Sequence, residues 1–289
     1  MLIQLDMSDR LKWMADICKS RRTVVGNHPQ ELQVRIAGWK EGDLLRPEHI
    51  TSLACLIELC KRSGVQQVRM GIPTELREQL DGVLHIASYW NEEKKYVKPR
   101  SEDYLNLWKV EESEIDFHAK RVEEYFNRAG FGHKDLSPLS QSLLEALYNV
   151  IDHSRCDGIA YTLVEYQKED EKVNVAVCDF GRGIACSVKT MLPGIGDLPA
   201  LEKALEPKFT IGSTSHNAGF GLSTLRSCCT NPDTLWILSN KAAIVTDGDS
   251  QRGIVLENEF EGALIFYSIS LNHLEDRDIE EYVNDLNML

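Results

Sequence analysis

The string Val173-Asn174-Val175-Ala176-Val177-Cys178 is almost wholly apolar and rich in β-branched residues, and it runs straight into Asp179-Phe180-Gly181-Arg182-Gly183. Such a run reads as a strand over residues 173–179 that delivers a carboxylate to its end. Two glycines at alternate positions then give the backbone freedom for positive φ or for close approach to a flat ligand. Further strands are expected at residues 161–166, 234–238, 243–245, 253–256 and 263–271. The C-terminal two-thirds of the chain is therefore organised around a sheet. Two helices are predicted ahead of it. One spans residues 111–128, with Ile115, Ala119, Val122 and Phe126 on one face and Gly130 as its stop. The other opens at Ser137-Pro138, a serine cap followed by proline at the first helical position.

Upstream the order is strand (31–39), helix (47–63, closed by Gly64), strand (65–70) and helix (74–90). This β-α-β-α order suggests a small α/β unit, and it resembles a STAS-type regulatory domain. Residues 91–103 (NEEKKYVKPRSED) are charged, carry a proline and contain few apolar side chains. They are the best linker. The expected division is a regulatory or interaction domain over residues 1–103 and a second domain over residues 104–289. A C-terminal fragment cut at the linker is then expected to fold alone.

At 289 residues the chain has room for two modest domains, and a hydrophobic share of 43% does not call for disorder. A formal net charge of −13 argues against a passive electrostatic nucleic-acid binder, because phosphate neutralisation needs a basic surface. The N-terminal stretch lacks the apolar core of a signal peptide, and no run of about eighteen apolar residues occurs. None of the eight cysteines forms a C-x-x-C pair. Buried free thiols in a reducing, cytoplasmic setting are expected rather than a zinc site or a disulfide framework.

Three clusters carry chemistry. On the helix opened by Ser137, Glu145, Asn149 and His153 are spaced i, i+4, i+8 and form one stripe, with Asp152 beside it. An amide carbonyl there suits a hard, oxygen-liking cation such as Mg²⁺. A glutamate one turn away suits a general base. Alone, the stripe reads as the polar outer face of an amphipathic helix, by a wide margin. The second cluster is Asp179 with Gly181, Gly183 and Ile184; a carboxylate at a strand end can accept from the exocyclic amine of adenine. The third is Asn217-Ala218-Gly219-Phe220-Gly221-Leu222, a Gly-x-Gly entering a helix, where unpaired backbone N–H groups can meet an anion. Between the second and third lies a long stretch with Gly, Pro, Ser and Thr, read as a lid. The letters Asp-Phe-Gly match a protein-kinase metal motif, but the companion kinase motifs are missing upstream.

In this order and spacing, the three clusters resemble the N, G1 and G2 boxes of the GHKL superfamily, which joins gyrase-type, chaperone, histidine-kinase and mismatch-repair ATPases. The resemblance covers roughly residues 137–271. It implies an α/β-class domain of α+β two-layer sandwich type, the Bergerat ATP-binding fold, with ATP and Mg²⁺ as ligands. It also implies Asn149 as the Mg²⁺ ligand, Asp179 as the adenine reader, Gly181, Gly183 and Ile184 along the base, and His153 at the nucleotide. Gly219, Phe220, Gly221 and Leu222 would flank the phosphates beneath a lid, and residues 207–210 resemble the lid phenylalanine region of histidine kinases.

Two departures matter. The family's Gly-Thr on the last strand is replaced by Glu261-Gly262-Ala263, and His118 lacks the setting of a phosphoacceptor. Three functions share the pocket: an ATPase or ATP-driven switch with Glu145 activating water, an anti-sigma-type serine/threonine kinase with Glu145 activating a partner's hydroxyl, and a module that holds ATP without chemistry. A protein partner or a homodimer through the N-terminal unit is expected, with no membrane and no direct nucleic-acid contact.

Overall fold

A parallel βαβαβ path opens the chain in the computed structural model, which describes residues 1–84, 86, 103–105, 107–154, 159–207, 209, 221–230, 233–248 and 250–277. The path runs β1 (Leu2–Asp6), α1 (Arg10–Asn27), β2 (Glu31–Ala37), α2 (Pro47–Arg62) and β3 (Gln67–Gly71). The strands lie in the order β1-β2-β3, both pairs parallel. Parallel neighbours need crossover helices, and right-handed crossovers in this order put both helices on one face of the sheet. Ile3, Leu5, Leu32 and Val34 are buried beneath them, while Leu2, Gln4, Glu31 and Gln33 on the other face are exposed. Neither β1 nor α1 belongs to the sequence reading. Asp9 caps α1 by accepting from Leu11 and Lys12, and Trp13, Met14, Ile17, Cys18 and Val24 form its buried stripe. The helix expected over 74–90 begins as α3 (Thr74–Arg77) and widens into a π-helical stretch, Glu78–Val83. The linker assigned to 91–103 lies outside the described residues apart from Asp103.

A five-stranded antiparallel sheet follows, ordered β4-β5-β6-β8-β7, from β4 (Trp108–Lys109), β5 (Ala160–Gln167), β6 (Lys172–Asp179), β7 (Thr234–Asp247) and β8 (Ser250–Ser270). The four C-terminal segments expected as separate strands are two long strands of one hairpin, with a register break around Asn240. The helices are α4 (Ile115–Phe126), α5 (Ser137–Asn149), α6 (Ile184–Met191), α7 (Asp197–Ala204) and α8 (Leu222–Cys228). The first part of the supposed lid is thus α6 and α7, both anchored in the core through Ile184, Val188, Ala200 and Leu201. Gly130, at φ 107, closes the helix before α5 as expected. Ser137 does not cap α5 with its hydroxyl; its N–H donates to Asp135 Oδ1 at 2.9 Å.

Strand periodicity explains how this sheet is covered twice. Val173, Val175 and Val177 of β6, with Ala263, Ile265 and Tyr267 of β8, face the core built with α4 to α8. Cys178, Phe180 and Leu264 face the other way, into a core shared with Trp13, Ile17, Leu53 and Leu56 of α1 and α2. Helix α2 accordingly lies between the two sheets, and twelve of its sixteen residues are buried, on every side of the helix. The Cys55 thiol donates to the Cys178 carbonyl at 3.3 Å, tying α2 to the back of β6. The N-terminal unit supplies the layer that covers the second face of the large sheet. A C-terminal fragment cut at the linker, expected from the sequence to fold alone, would leave that face bare. Among the described residues no helix is long and apolar enough to cross a membrane.

Candidate functional site

The inner face of β6 ends in Asp179, and a narrow cleft opens there between the sheet and helices α5 and α6. It is tightly closed, with no room for a water molecule, and is lined by Asn149, Val150, Val177, Asp179, Gly183, Ile184, Ala263 and Ile265. Residues from the first two sequence clusters therefore meet in one place. A larger cleft, lined among others by Arg10, Arg46, Glu165 and Phe266, lies between the N-terminal unit and the far end of the sheet and contains none of the cluster residues.

Asp179 is 1% exposed. Burial pushes its carboxyl up to about 7, against the opposing pull of the Gly181 and Ala263 backbone N–H groups and of the Arg21 charge. Gly181 N–H donates to Asp179 Oδ1 at 2.7 Å, a local turn that fixes the carboxylate at the strand end. Gly181 acts there as a brace and is not among the cleft-lining residues. Gly183, by contrast, lines the cleft at φ +86, and an added Cβ would lie 2.5 Å from Asn240 Oδ1 and 2.6 Å from Ser239 Oγ. Glycine is required there on both counts.

Ser239 and Asn240, absent from the sequence reading, hold this turn in place. Ser239 Oγ accepts from Ile184 N–H at 2.7 Å, and Asn240 Oδ1 accepts from Cys186 N–H at 3.0 Å. Asn240 Nδ2 donates to the Arg182 carbonyl at 2.9 Å. A β7 bulge thus caps α6 in place of a local residue, using two donors that an N-terminal helix end leaves free. Asn240 sits at φ 54, a conformation asparagine tolerates better than most residues. The Ser-Asn pair directly after the apolar run 234–238 is the signal that could have revealed it. Gly262 faces the same turn: at φ +130, any Cβ would collide with the Asp179 carbonyl. The Glu261-Gly262-Ala263 string therefore places a backbone beside Asp179, with no hydroxyl to offer.

Helix α5 supplies the other wall. Asn149 Nδ2 donates to the Glu145 carbonyl one turn back at 2.7 Å, which fixes the amide and leaves Oδ1 as its lone-pair-bearing end. Glu145 is partly buried, and its carboxyl is raised, first by burial and then by the Asp152 charge. After Asn149 the chain loosens into a π-helical turn, Val150–Ser154. The i, i+4, i+8 stripe therefore holds for Glu145 and Asn149, but the wider turn changes the phase before His153, whose side chain is outside the described ones.

The third cluster is described in part. Gly219 and Phe220 lie outside the described residues. Gly221 precedes α8 in extended conformation, and a Cβ there would meet only the Phe209 carbonyl at 3.6 Å, so nothing described in the protein demands glycine. Leu222 is buried in the core and anchors α8 there. Phe209 also packs on that core, with Lys203 Nζ 5.6 Å from its ring centroid. His118 is buried and stacked on Trp108 at 4.2 Å, and burial lowers it to about 3, so it stays neutral. All seven described cysteines are free thiols. No protein-family model matches the chain, and no curated protein matches it.

Proposed function

We propose that this chain binds Mg-ATP in the cleft between β6, α5 and α6, as a Bergerat-fold protein of GHKL type, and uses it as an ATPase or ATP-driven switch. The observation that carries the reading is the meeting of Asn149, Asp179, Gly183 and Ile184, from separate stretches of sequence, around one cleft. The order of elements supports it too: an antiparallel sheet carries helices on the face where the cleft opens.

The donor set suits the ligand. Asp179, fixed by its turn, is the acceptor for the adenine amine, a contact that guanine, which carries a carbonyl at that position, does not make. Gly183 lets the flat base approach the backbone, and Ile184, Ala263 and Ile265 supply apolar walls. Asn149, its NH₂ already committed to the helix, turns a carbonyl oxygen toward an oxygen-liking cation; one such ligand with phosphate oxygens and water suits Mg²⁺. When bound, the ion supplies charge neutralisation at the phosphates. Glu145, whose proton affinity is raised by burial and by Asp152, takes the proton of the attacking water. Gly221, free of steric need within the described protein, suits close passage of the phosphates. The N-terminal βαβαβ unit is the regulatory part.

Calorimetry of the full chain tests this. ATP is expected to bind, more tightly with Mg²⁺ than with chelator and more tightly than GTP, with slow phosphate release. Absence of ATP binding at millimolar concentration overturns the reading. Binding without any phosphate release reduces it to a structural ligand.

A further inference from the structure

Helix α1 lies on the opposite face of the sheet from the cleft, yet one of its side chains reaches around the strand ends that carry Asp179. Arg21 Nη2 donates to the Phe180 carbonyl at 3.0 Å, and Nη1 donates to the Glu261 carbonyl. The guanidinium lies 4.7 Å from the Phe180 ring centroid and 3.4 Å from the Glu261 carboxylate. Phe180 directly follows Asp179, and Glu261 directly precedes Gly262, whose Cα lies against the Asp179 carbonyl. The last paired residues of β6 and β8 are Asp179 and Ala263. Arg21 therefore takes the two carbonyls just beyond the point where the ladder stops.

We infer that Arg21 is the positioning residue through which the N-terminal unit sets the adenine-reading carboxylate, so that the hold of α1 on the sheet and nucleotide affinity are coupled. The inference rests on the Mg-ATP reading of the cleft. Its physical basis is the geometry of a planar donor. A guanidinium offers several N–H groups in one fixed fork, so it can hold two carbonyls at a set separation, which a flexible ammonium does less well. Bonds from a charged donor are also stronger than neutral ones. Without the fork, the partly buried Phe180 carbonyl and the exposed Glu261 carbonyl are no longer held together, and the turn that orients Asp179 gains freedom just where the base must dock. Charge works in the same direction: the Arg21 guanidinium favours the ionised form of Asp179. The thiols around it, Cys18 on α1, Cys55 on α2 and Cys178 on β6, are all raised by burial and stay neutral.

Arg22 provides the internal control. It makes the same kind of tie, Nη2 to the Glu259 carbonyl at 3.0 Å, but two residues further from the cleft. It anchors α1 to β8 without touching either residue that flanks Asp179 and Gly262.

The experiment compares full-length wild type, Arg21→Gln, Arg21→Lys and Arg22→Gln by calorimetry with ATP and GTP, alongside thermal unfolding without nucleotide. Arg21→Gln is expected to weaken ATP about tenfold or more while changing GTP little, so that discrimination between the bases falls. Arg21→Lys keeps the charge and one donor, and recovers part of the loss. Arg22→Gln is expected to leave ATP affinity and base discrimination at wild-type level, even where it lowers the unfolding temperature. Equal losses in the two Gln variants, or unchanged discrimination in a folded Arg21→Gln protein, overturn the inference. If Arg21→Gln does not fold, the Arg21→Lys and Arg22→Gln pair decides: discrimination reduced only in the former supports the inference, and wild-type discrimination in Arg21→Lys overturns it. Wild-type protein that binds no ATP at all instead overturns the reading of the cleft.

Discussion

Replacing Asp179 with asparagine is expected to make the protein more stable and less able to bind ATP, both for the same reason. The carboxyl is fully buried and has no salt-bridge partner among the described residues; burial lifts it from its ordinary 3.8 to about 7. The folded protein thus holds a proton that the unfolded chain releases, so stability is lost as pH rises from near 3.8 and the loss is complete above about 7. That gap corresponds to about 4 kcal/mol at pH 8, an upper figure. Asparagine keeps an acceptor for the Gly181 and Ala263 N–H groups and carries no charge to desolvate. Asp179→Asn should therefore gain roughly 1–4 kcal/mol at pH 8, or a rise in melting temperature on the order of 2–10 °C. At pH 5.5 the gain should shrink to about half, because most of the wild-type carboxyl is then protonated in the folded state. ATP affinity should meanwhile fall by about 1–3 kcal/mol, since the amide confronts the adenine amine with a donor. Thermal unfolding at the two pH values, with calorimetry at pH 8, reads all three. A variant less stable than wild type at pH 8, or a gain independent of pH, would refute the reasoning.

Asn149→Ala should leave ATP binding in chelator near wild type and remove most of the strengthening by Mg²⁺; equal Mg²⁺ enhancement in both proteins rules Asn149 out as the ligand. Glu145→Gln should bind ATP nearly as well but release phosphate roughly 10²–10⁴-fold more slowly, and an unchanged rate would leave Glu145 a helix-face carboxylate. A fragment beginning at Tyr104 lacks α1 and α2 and bares Tyr161, Leu163, Cys178, Phe180, Leu238 and Leu264. With about 1.5–3 kcal/mol at stake for each large side chain, it should aggregate, and a monodisperse fragment on size exclusion would show that α1 and α2 are dispensable.

The strands and helices nearest the candidate site are legible in the sequence because their patterns are strong. β6 carries the apolar run Val175-Ala176-Val177-Cys178, and Glu145 and Asn149 recur at helical spacing. What escapes the sequence depends on contacts made at a distance. Helix α1 carries Lys19, Ser20, Arg21, Arg22 and Thr23 in its second half, which dilutes the apolar stripe; two of these serve carbonyls of β8, far along the chain. Ser239 and Asn240 cap a helix more than fifty residues earlier, so the Ser-Asn pair after the apolar run marks an end of the strand pattern but not the helix it serves. The hairpin of β7 and β8 reads as four short strands because the polar runs Ser239-Asn240-Lys241 in β7 and Glu257-Asn258-Glu259 in β8 interrupt its apolar pattern. Gly262 is the residue that lets β8 pass against Asp179.

The position of α2 between two sheets also fixes an order of events at the ribosome. Its three-stranded partner is complete once β3 has emerged, but the strands that cover its other side end only with β8. About 200 residues separate the end of α2 from the middle of β8, a wait on the order of 10–40 s at ordinary rates of synthesis. During that interval Leu53, Leu56 and their neighbours have one covered side and one bare side. The nascent chain thus carries an adhesive surface that only its own later half can cover, and slowed translation within residues 160–264 lengthens the time in which it can stick elsewhere.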